Sequence, residues 1–487
     1  MISTLTTRIA RPDDEVAAHL ARPSIAARLT PPWFPPNTIF DDRLITTHID
    51  PDGPSACHLT EELTASSLMK NEECIMKNGQ TTETTPAITT GAAAPHSTFY
   101  IQHSTLEDGG GAAALAYRHA TLRDDLEHTA PYGHVRRLRI AIAGATGLIG
   151  RALTTFLQTQ NHEVIPITAS GLMKNVECSS ERSEKPDMKN GQTSAREATA
   201  TPSPATGAAA PSDHSTFNIL LSTLGADGGG HAAIDAVINL AGAPIDASPW
   251  TQPLRDQIWQ SRAATTRALV AALATLNPRP FAYLNASSLA IYGTRGHDPL
   301  DETAPLPPRN TGFLSDVFAG AEHESLAAAD LGIRTVLLRF AHVLTPAGGP
   351  LARYTHISHL SHSSHISHSP LKLSPLGHGR QWTSWITIDD AIAAIYHALL
   401  THTISGPVNI TSPTPLTNAD LTAALAAALH QKPRLARPRW LLRLRHGADF
   451  ANETLLASQR LAPAKLQATA YTFRHPTIET ALAHLLP

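Results

Sequence analysis

Apolar and polar positions between residue 139 and about residue 405 follow two periods in turn, that of a buried strand and that of an amphipathic helix. The first apolar run contains the β-branched Ile140 and Ile142 and predicts a strand. A helical pattern then begins at Leu148 and ends near Gln160. Strands that alternate with helices in this way are typical of α/β domains with a parallel sheet.

Three glycines separate this strand from this helix: Gly144, Gly147 and Gly150. In a nucleotide-binding loop the first glycine permits a tight turn, the second lets the backbone approach a pyrophosphate, and the third lets helix and strand pack closely. The phosphates then lie against amide N–H groups at the positive end of the helix dipole. An ordinary strand-to-helix turn is the alternative, but a strand before the glycines and a helix after them favour nucleotide binding.

Four further segments continue the alternation of strand and helix. Apolar runs predict strands at 163–168, 235–242 and 281–288, and an amphipathic pattern predicts a helix at 249–273. The predicted fold is therefore a doubly wound parallel sheet, with ligands at the carboxyl edge of its strands. The predicted cofactor-binding residues come from the glycine loop and from the end of the strand at 235–242: Gly144, Ala145, Thr146, Gly147, Leu148, Ile149, Gly150, Leu240, Ala241 and Gly242.

The end of the second predicted strand normally distinguishes between the two nicotinamide cofactors. An acidic residue there binds a ribose hydroxyl of NAD, and an arginine accommodates the 2′-phosphate of NADP. This chain has Ala169 and Ser170 at that point, followed by a low-complexity segment. The sequence therefore predicts NAD or NADP without deciding between them.

Composition and charge exclude several classes of partner. The net charge of −3 provides no basic footprint for nucleic acid or for an anionic membrane. The three cysteines, Cys57, Cys74 and Cys178, form no C-x-x-C pair, so no metal site is predicted. Because the N-terminus lacks a charged region followed by an apolar one, and no apolar run approaches the length of a membrane span, we expect a soluble, cytoplasmic protein. A small-molecule substrate is the expected partner, and the oligomeric state is not indicated.

Two related low-complexity segments interrupt the chain at about 67–111 and about 171–230. Two copies are too few for a solenoid, and their content of large apolar residues is too low for an independent core. We interpret both as inserted loops; a recognition module used twice is the alternative. A separate run of histidines with a period of three, at 356–368, suits metal capture in principle, but its spacing favours low-complexity drift.

The motifs of the second half resemble those of the extended short-chain dehydrogenase/reductases, in the same order along the chain. Within that family they resemble the NAD-dependent epimerase/dehydratase-like subfamily that ends in its own small domain of unknown function. The resemblance implies a Rossmann domain at 137–405 and a small, mostly helical domain at 406–487. The motifs that carry it lie at 144–150, 239–242, 287–293, 339–346, 381–390, 406–413, 417–421, 456–460, 463–466 and 471–476.

The first part of the chain resembles a START-like (SRPBCC) domain, which occurs in front of some members of that subfamily. Segments 8–19 and 27–33 resemble its opening, and 116–126 resembles its closing helix. Tyr117, Leu122 and Leu126 are expected to form one buried face of that helix. Because the middle strands are largely missing, the resemblance implies a degraded START-like region at 1–130.

The same resemblance implies the catalytic residues. Members of the family use a Tyr-x-x-x-Lys pair, in which the lysine lowers the tyrosine pKa so that the phenol exchanges a proton with the substrate oxygen. Here Phe313 and Val317 occupy those positions, and neither transfers a proton. Ser287 or Ser288 fits the serine that binds the substrate oxygen, although hydroxyls at the end of a strand also bind backbone.

Three other candidate groups have a structural interpretation beside the functional one. Tyr292 offers a phenol as a catalytic acid, but tyrosine in such a turn more often packs. Arg380 matches a carboxylate or phosphate of the substrate, or else forms a surface salt bridge. Asp389 and Asp390 are expected to cap a helix. The leading function is an NAD(P)-dependent oxidoreductase or epimerase acting on a sugar-nucleotide-like or other small carbonyl substrate; a dinucleotide-binding sensor or scaffold without turnover is the alternative.

Overall fold

The computed structural model describes residues 2–11, 13–22, 24–31, 45–51, 57–64, 110–167, 233–352 and 373–486. The predicted insertion at 171–230 and the histidine run at 356–368 lie outside these residues, as does the predicted insertion at 67–111 apart from its last two residues, which begin a helix. Within the described ranges no helix is long and apolar enough to cross a membrane. The same ranges contain no group of three or more side chains suited to holding a metal ion.

The N-terminal region consists of a small antiparallel sheet and helices that cover it. Its elements are β1 (Ile2–Ile9), α1 (Asp13–Leu20), α2 (Ile25–Leu29), β2 (Ile45–Pro51), β3 (Cys57–Thr64), α3 (Gly110–Thr129) and a 3-10 helix at Ala130–Tyr132. The three strands lie in the order β1-β3-β2, and α3 packs against β1 and β3. Buried apolar side chains from both helices and strands form one core beneath α3.

The three side chains expected to form one buried face of α3 are all buried, but they do not share one face. Tyr117, Leu122 and Leu126 are all buried, and the two leucines join the N-terminal core. Tyr117 instead stacks on His484 near the C-terminus, with 4.7 Å between the ring centroids. Five residues turn a helix by about 140°, so Tyr117 and Leu122 point to different neighbours.

A parallel sheet of six strands forms the centre of the molecule. The elements of this part of the chain are β4 (Arg139–Ala143), α4 (Leu148–Thr159), β5 (Glu163–Ile167), β6 (Ala236–Asn239), α5 (Gln252–Thr275), β7 (Ala282–Ser288), a 3-10 helix (Leu289–Tyr292), β8 (Pro299–Leu300), α6 (Phe313–Asp330), β9 (Arg334–Phe340), β10 (His342–Leu344), α7 (Gly349–Ala352), β11 (Trp382–Thr383), β12 (Trp385–Thr387), α8 (Ile388–Leu400) and β13 (Gly406–Ile410). The strand order is β13-β9-β7-β6-β4-β5, and every neighbouring pair is parallel. The predicted doubly wound fold is therefore confirmed.

Helices cover both faces of this sheet. Along β4, Ile140 and Ile142 pack with the buried side chains of α4 and α8, whereas Ala141 and Ala143 pack with those of α5 and α6. Since both faces are buried, the strand is apolar at every position after Arg139. The strand order reverses between β4 and β6, and this reversal creates a crevice at the carboxyl edge of the sheet.

The C-terminal region consists of short helices attached to two loops of the central domain. Its elements are β14 (Leu416–Thr417), α9 (Asn418–Ala428), α10 (Arg439–His446), α11 (Ala448–Phe450), a π-helical turn (Ala451–Leu455), β15 (Arg460–Leu461), α12 (Ala464–Ala468) and α13 (Ile478–Leu485). Strand β14 pairs with β11, and β15 pairs with β8. Strand β13, an edge of the central sheet, begins directly after residue 405, where the sequence places the end of the Rossmann domain.

Two adjacent carboxylates at the start of α8 have a different role from the predicted one. Capping by Asp389 and Asp390 is wrong, because Thr387 is the N-cap residue and its Oγ1 accepts a hydrogen bond from the Asp390 amide at 3.1 Å. The Asp390 carboxylate instead accepts hydrogen bonds from the amides of Arg474 and His475 at 2.8 and 2.9 Å. It thereby binds the chain that leads into α13.

The carboxylate of Asp389 belongs to a buried group of charges. Arg28 of α2 donates to Asp389 at 2.7 Å and to Asp125 of α3 at 2.9 Å. Arg474 donates to Asp125 at 2.7 Å, and His484 lies 3.1 Å from Asp389. Burial alone raises the pKa of Asp389, but the charge of Arg28 and the hydrogen bond from His484 outweigh it and hold that pKa well below its ordinary value.

Stability is expected to fall in two stages as the pH is lowered from about 7. Burial lowers the pKa values of His19 and His162 to about 4, whereas an unfolded histidine has a pKa of about 6.5. Between about pH 6.5 and 4 the unfolded chain therefore binds protons that the folded chain rejects, and the free energy of unfolding decreases. Below about pH 4, protonation of Asp125 and Asp389, whose pKa values are lowered in the folded state, removes the buried ion pairs.

Urea denaturation at about pH 7, 5 and 3 measures this dependence. In the folded chain Nδ1 of His162 accepts a hydrogen bond from the Leu138 amide at 3.1 Å, and protonation of that nitrogen breaks it. His162→Gln should therefore reduce the loss of stability between about pH 7 and 4 by on the order of 2 kcal/mol. His323→Gln, which changes an exposed histidine of α6, is the matched control. Equal pH slopes for both variants would contradict the assignment.

Candidate functional site

The loop after β4 turns sharply at its first glycine. Gly144 has a φ of +79°, a conformation that side chains rarely adopt. A Cβ at this position would lie 2.7 Å from the carbonyl carbon and oxygen of Leu240, which follows β6. The two strand ends are held together by a hydrogen bond from the Leu240 amide to the Ala143 carbonyl at 2.8 Å. Both the turn and the close approach require glycine here.

The third glycine brings α4 onto this turn. A Cβ on Gly150 would overlap the carbonyl oxygen of Gly144. Gly147 differs, because its φ of −70° is ordinary and a Cβ would lie 3.3 Å from the same oxygen. Gly147 is exposed and is the N-cap of α4, and no side chain caps the helix. The first amide N–H groups of α4 are therefore available to a phosphate.

The other predicted residues of the loop surround these glycines. Ala145 is buried against the central core, Thr146 is exposed, and Leu148 and Ile149 are half-buried. The Leu148 side chain packs against the turn that follows β10, since a Cβ on Gly348 would lie 3.0 Å from it. The loop is thus open on the side of Thr146 and Gly147.

A buried amide shapes the second predicted segment, the turn after β6. Oδ1 of Asn239 accepts a hydrogen bond from the Ala241 amide at 3.1 Å, and its Nδ2 donates to Oδ1 of Asn285 at 2.7 Å. Leu240 and Ala241 are half-buried, and Gly242 is exposed. The turn therefore leaves the sheet beside the glycine loop, at the crevice between β4 and β6.

The two candidate serines at the end of β7 differ in their partners. Ser288 is the N-cap of the 3-10 helix, and its Oγ accepts a hydrogen bond from the Ala290 amide at 3.2 Å. The Oγ of Ser287 is buried and has no hydrogen-bond partner among the described residues. A buried hydroxyl without a partner costs about 1–3 kcal/mol, so a ligand that supplied one would recover that energy.

Tyr292 lies in a buried hydrogen-bond network. Its phenol donates to Oδ1 of Asn409 at 2.8 Å or to the carbonyl of Asp301 at 3.1 Å, and it accepts a hydrogen bond from Arg339 at 2.9 Å. Arg339 also forms an ion pair with Glu322 at 2.8 Å. Burial is the largest effect on Tyr292 and raises its pKa, although Arg339 opposes it. A raised pKa opposes formation of the phenolate.

Phe313 and Val317 lie in the first two turns of α6. The carboxylate of Glu453 in the C-terminal region accepts hydrogen bonds from the amides of Phe313 and Leu314 at 2.9 and 2.7 Å. The Phe313 ring packs edge-on against Trp250, with 5.3 Å between centroids, and Val317 is buried. Neither side chain exchanges protons, and both pack against their neighbours in the structure.

An arginine that the sequence does not single out lies beside the turn after β6. Arg262 of α5 donates to the carbonyl of Ala243 at 3.1 Å and to that of Ile258 at 3.2 Å. Its guanidinium lies over the Phe318 ring, with 5.2 Å from Cζ to the centroid. Burial lowers the pKa of Arg262 to about 10. A Cβ on Gly242 would lie 3.0 Å from the guanidinium carbon.

Arg380 lies in the loop before β11, and its side chain is exposed. Its amide donates to Nδ1 of His378 at 3.2 Å, and its guanidinium forms no ion pair with a described residue. Asn285 and Glu453 also contribute to the site region, although neither is predicted from the sequence as a site residue. An asparagine within an apolar strand is a signal that identifies Asn285; Glu453 and Arg262 act across long sequence separations and carry no such signal.

These features suit a dinucleotide. Two glycines lie where a Cβ would strike neighbouring backbone: Gly144 and Gly150. The uncapped end of α4 faces the same crevice, where the strand order reverses. A doubly wound sheet binds dinucleotides at this point, with the pyrophosphate at the helix N-terminus. The fold and the site therefore define a dinucleotide-binding protein of the Rossmann type.

Comparison with known families agrees with this class of protein and identifies a particular family within it. The model of the NAD dependent epimerase/dehydratase family matches residues 140–411, and the chain belongs to this family. A second family model, a domain of unknown function (DUF1731), matches residues 437–485. The predicted membership of the extended short-chain dehydrogenase/reductases, with their characteristic C-terminal domain, is confirmed.

Individual relatives support this membership. An epimerase family protein of Mycobacterium bovis is 31% identical over 345 residues, which are 71% of this chain and 96% of the relative. A solved nucleoside-diphosphate sugar epimerase of Corynebacterium glutamicum is similar over 99% of this chain and 90% of its own, with a TM-score of 0.61 and 24% identity. A human epimerase family protein solved with NADPH covers 72% of this chain and 99% of its own, with a TM-score of 0.53 and 24% identity. The two solved structures show the shared fold.

Alanine substitutions at two glycines should separate binding from folding. Gly147→Ala adds a methyl group at an ordinary φ and only 3.3 Å from the Gly144 carbonyl oxygen, so we expect a small fall in melting temperature, by less than about 2 °C, and a fall in nucleotide affinity of about tenfold or more. Gly150→Ala forces the methyl group into the Gly144 carbonyl, so we expect a clear loss of stability. Calorimetric titration with NADH and NADPH and thermal melts measure both effects. Unchanged affinity of a stable Gly147→Ala variant would refute the phosphate site.

Proposed function

We propose that the chain is an NAD(P)-dependent oxidoreductase or epimerase acting on a small carbonyl or sugar-nucleotide-like substrate. The observation that carries the proposal is the glycine loop, in which Gly144 and Gly150 leave no room for a side chain while the loop stays open beside Gly147. Membership of the NAD dependent epimerase/dehydratase family supports it. Which of NAD and NADP binds is left to experiment, because residues 168–170, which follow β5, lie outside the described residues.

We assign the contact with the substrate oxygen to Ser287. When bound, the nicotinamide accepts or supplies a hydride, and the protein must hold the substrate oxygen whose bond order changes. Ser287 is buried at the carboxyl end of β7 with an unpartnered hydroxyl, whereas the hydroxyl of Ser288 is bonded to backbone. The phenol of Tyr292 already has protein partners, so we give it the role of positioning Arg339 and Asn409.

Two other predicted roles remain proposals. The exposed guanidinium of Arg380 suits an anionic group of the substrate, because its planar fork matches a carboxylate or phosphate. The N-terminal region is proposed to be a degraded START-like domain. Its antiparallel sheet, with α3 packed across β1 and β3, supports that relationship.

The second candidate is a protein that binds the dinucleotide without turnover. Phe313 and Val317 favour it, because the positions of the usual proton donor and its lysine hold apolar side chains. Such a protein would report the redox state of the cofactor or assemble partners around it. The two candidates share the cofactor site and differ in hydride transfer.

Titration of the full-length chain with NADH and NADPH, followed by single-turnover oxidation with a panel of carbonyl compounds and nucleoside-diphosphate sugars, distinguishes the candidates. We expect micromolar binding of one cofactor and loss of its absorbance with at least one substrate class. Binding without hydride transfer would favour the sensor. Absence of binding would overturn both.

The two serines provide a matched pair of variants. Ser287→Ala should lower single-turnover rates by about 10²-fold and leave cofactor affinity unchanged, because it removes a hydrogen bond to the reacting oxygen. Ser288→Ala removes a bond to the Ala290 amide and should mainly lower stability, by about 1 kcal/mol. Rates measured on the most active substrate and melting temperatures test both. The reverse pattern would move the catalytic role to Ser288.

A further inference from the structure

A short helix of the C-terminal region turns large apolar side chains towards solvent. In α10, Leu442 is buried, whereas Trp440, Leu441 and Leu444 are 66%, 40% and 76% exposed. Leu435, which precedes the helix, is 93% exposed. Single apolar residues on a protein surface need no explanation, but several side chains of this size within two turns of helix indicate an interaction surface. Trp440, Leu441 and Leu444 together form the apolar face of α10.

The geometry of the helix defines the surroundings of the apolar face. At about 3.6 residues per turn its three side chains fall within about 100° of one another, and Leu442 points to the opposite side. The same rotation places Arg443 at one border of the apolar face and Arg445 at the other. Both arginines are exposed. The outward side of α10 is therefore an apolar strip between two cations.

Contacts with other parts of the chain hold α10 in this orientation. Leu442 packs into a small apolar core of the C-terminal region. At the end of the helix, Nδ1 of His446 and Oγ of Ser248 are hydrogen-bonded at 2.8 Å. Ahead of the helix, the amide of Arg437 donates to the carbonyl of Pro375 at 2.8 Å. Because the helix is already formed and fixed, it presents the apolar face without a folding step.

The charges along this stretch of the chain are of one sign. Residues 421–448 contain no aspartate or glutamate and six basic residues, Lys432, Arg434, Arg437, Arg439, Arg443 and Arg445. Arg439, Arg443 and Arg445 form no ion pair within the part of the chain that the structure describes. The net charge of −3 averages over the whole chain. The expectation that an anionic membrane is not attracted therefore does not extend to this local surface.

An apolar strip bordered by arginines matches the interface of an anionic membrane. Tryptophan and leucine side chains enter the boundary between headgroups and acyl chains, while arginines beside them reach the lipid phosphates. The exposure of Trp440 and Leu444 shows that they project from the surface, and a lipid interface accepts such side chains without the preformed pocket that a protein partner needs. A second copy is disfavoured, because two-fold pairing sets the same arginines against each other.

We propose that α10 is a peripheral attachment site for a membrane surface that carries anionic lipid headgroups. The apolar face enters the interface, and Arg443 and Arg445 bind lipid phosphates. Two turns of helix with three apolar side chains give weak and reversible attachment. The attachment is peripheral, since no described helix is long and apolar enough to cross a membrane. It requires neither a cofactor nor turnover, so it does not rest on the proposed function.

Co-sedimentation of the full-length chain with lipid vesicles tests this inference. We expect binding to vesicles of mixed phosphatidylcholine and phosphatidylglycerol, much weaker binding to phosphatidylcholine alone, and release by added salt, which screens the arginines. The double variant Trp440→Ser, Leu444→Ser should weaken binding to the mixed vesicles by about tenfold or more. The double variant Arg443→Gln, Arg445→Gln should weaken it by about tenfold and reduce its dependence on salt.

The double variant Leu306→Ser, Leu326→Ser changes two exposed leucines outside α10 and should leave vesicle binding unchanged. Thermal melts establish that all variants are folded. Failure of the unmodified chain to sediment with the mixed vesicles, or undiminished binding by the Trp440→Ser, Leu444→Ser variant, would overturn the inference. Analytical ultracentrifugation covers the remaining occupant: a dimer that the same variant dissociates, without vesicle binding, would assign the apolar face to a second copy and would also overturn it.

Discussion

The buried carboxylates of Asp125 and Asp389 connect parts of the molecule that are distant in sequence. Through Arg28, Arg474 and His484 they join the N-terminal helices, the first turn of α8 and the C-terminal helix α13. Removal of one member of such a group leaves an unpaired buried charge, which commonly costs about 3–5 kcal/mol. The N-terminal region is therefore attached to the Rossmann domain by charge as well as by apolar packing, on the face of the sheet that is covered by α4 and α8.

The candidate site depends on close contacts between backbone segments at the ends of β4 and β6. The ends of β4 and β6 approach so closely that Gly144 cannot carry a side chain, and Gly150 brings α4 against the same turn. The C-terminal region completes the site from outside the sheet, because Glu453 caps the first turn of α6.

The chemistry proposed for this crevice relies on a hydroxyl of β7 in place of the usual pair on α6. Family members carry the proton donor and its lysine on one helix, but here α6 offers Phe313 and Val317 at those positions. The unpartnered hydroxyl at the end of β7 belongs to Ser287. In the proposed chemistry this hydroxyl polarises a substrate oxygen through a hydrogen bond.

The sequence by itself determined the doubly wound sheet, the glycine loop and the family, because periodicity and glycine spacing are local properties that backbone geometry translates directly into strand, turn and helix. It also located the end of β7, but not which serine there is free. Only the tertiary structure decided that Ser288 caps a helix, that Tyr292 is enclosed by Arg339 and Asn409, and that Asp389 binds other regions instead of capping α8. Partners and burial are set by segments that meet across long sequence separations, and local sequence patterns do not record them.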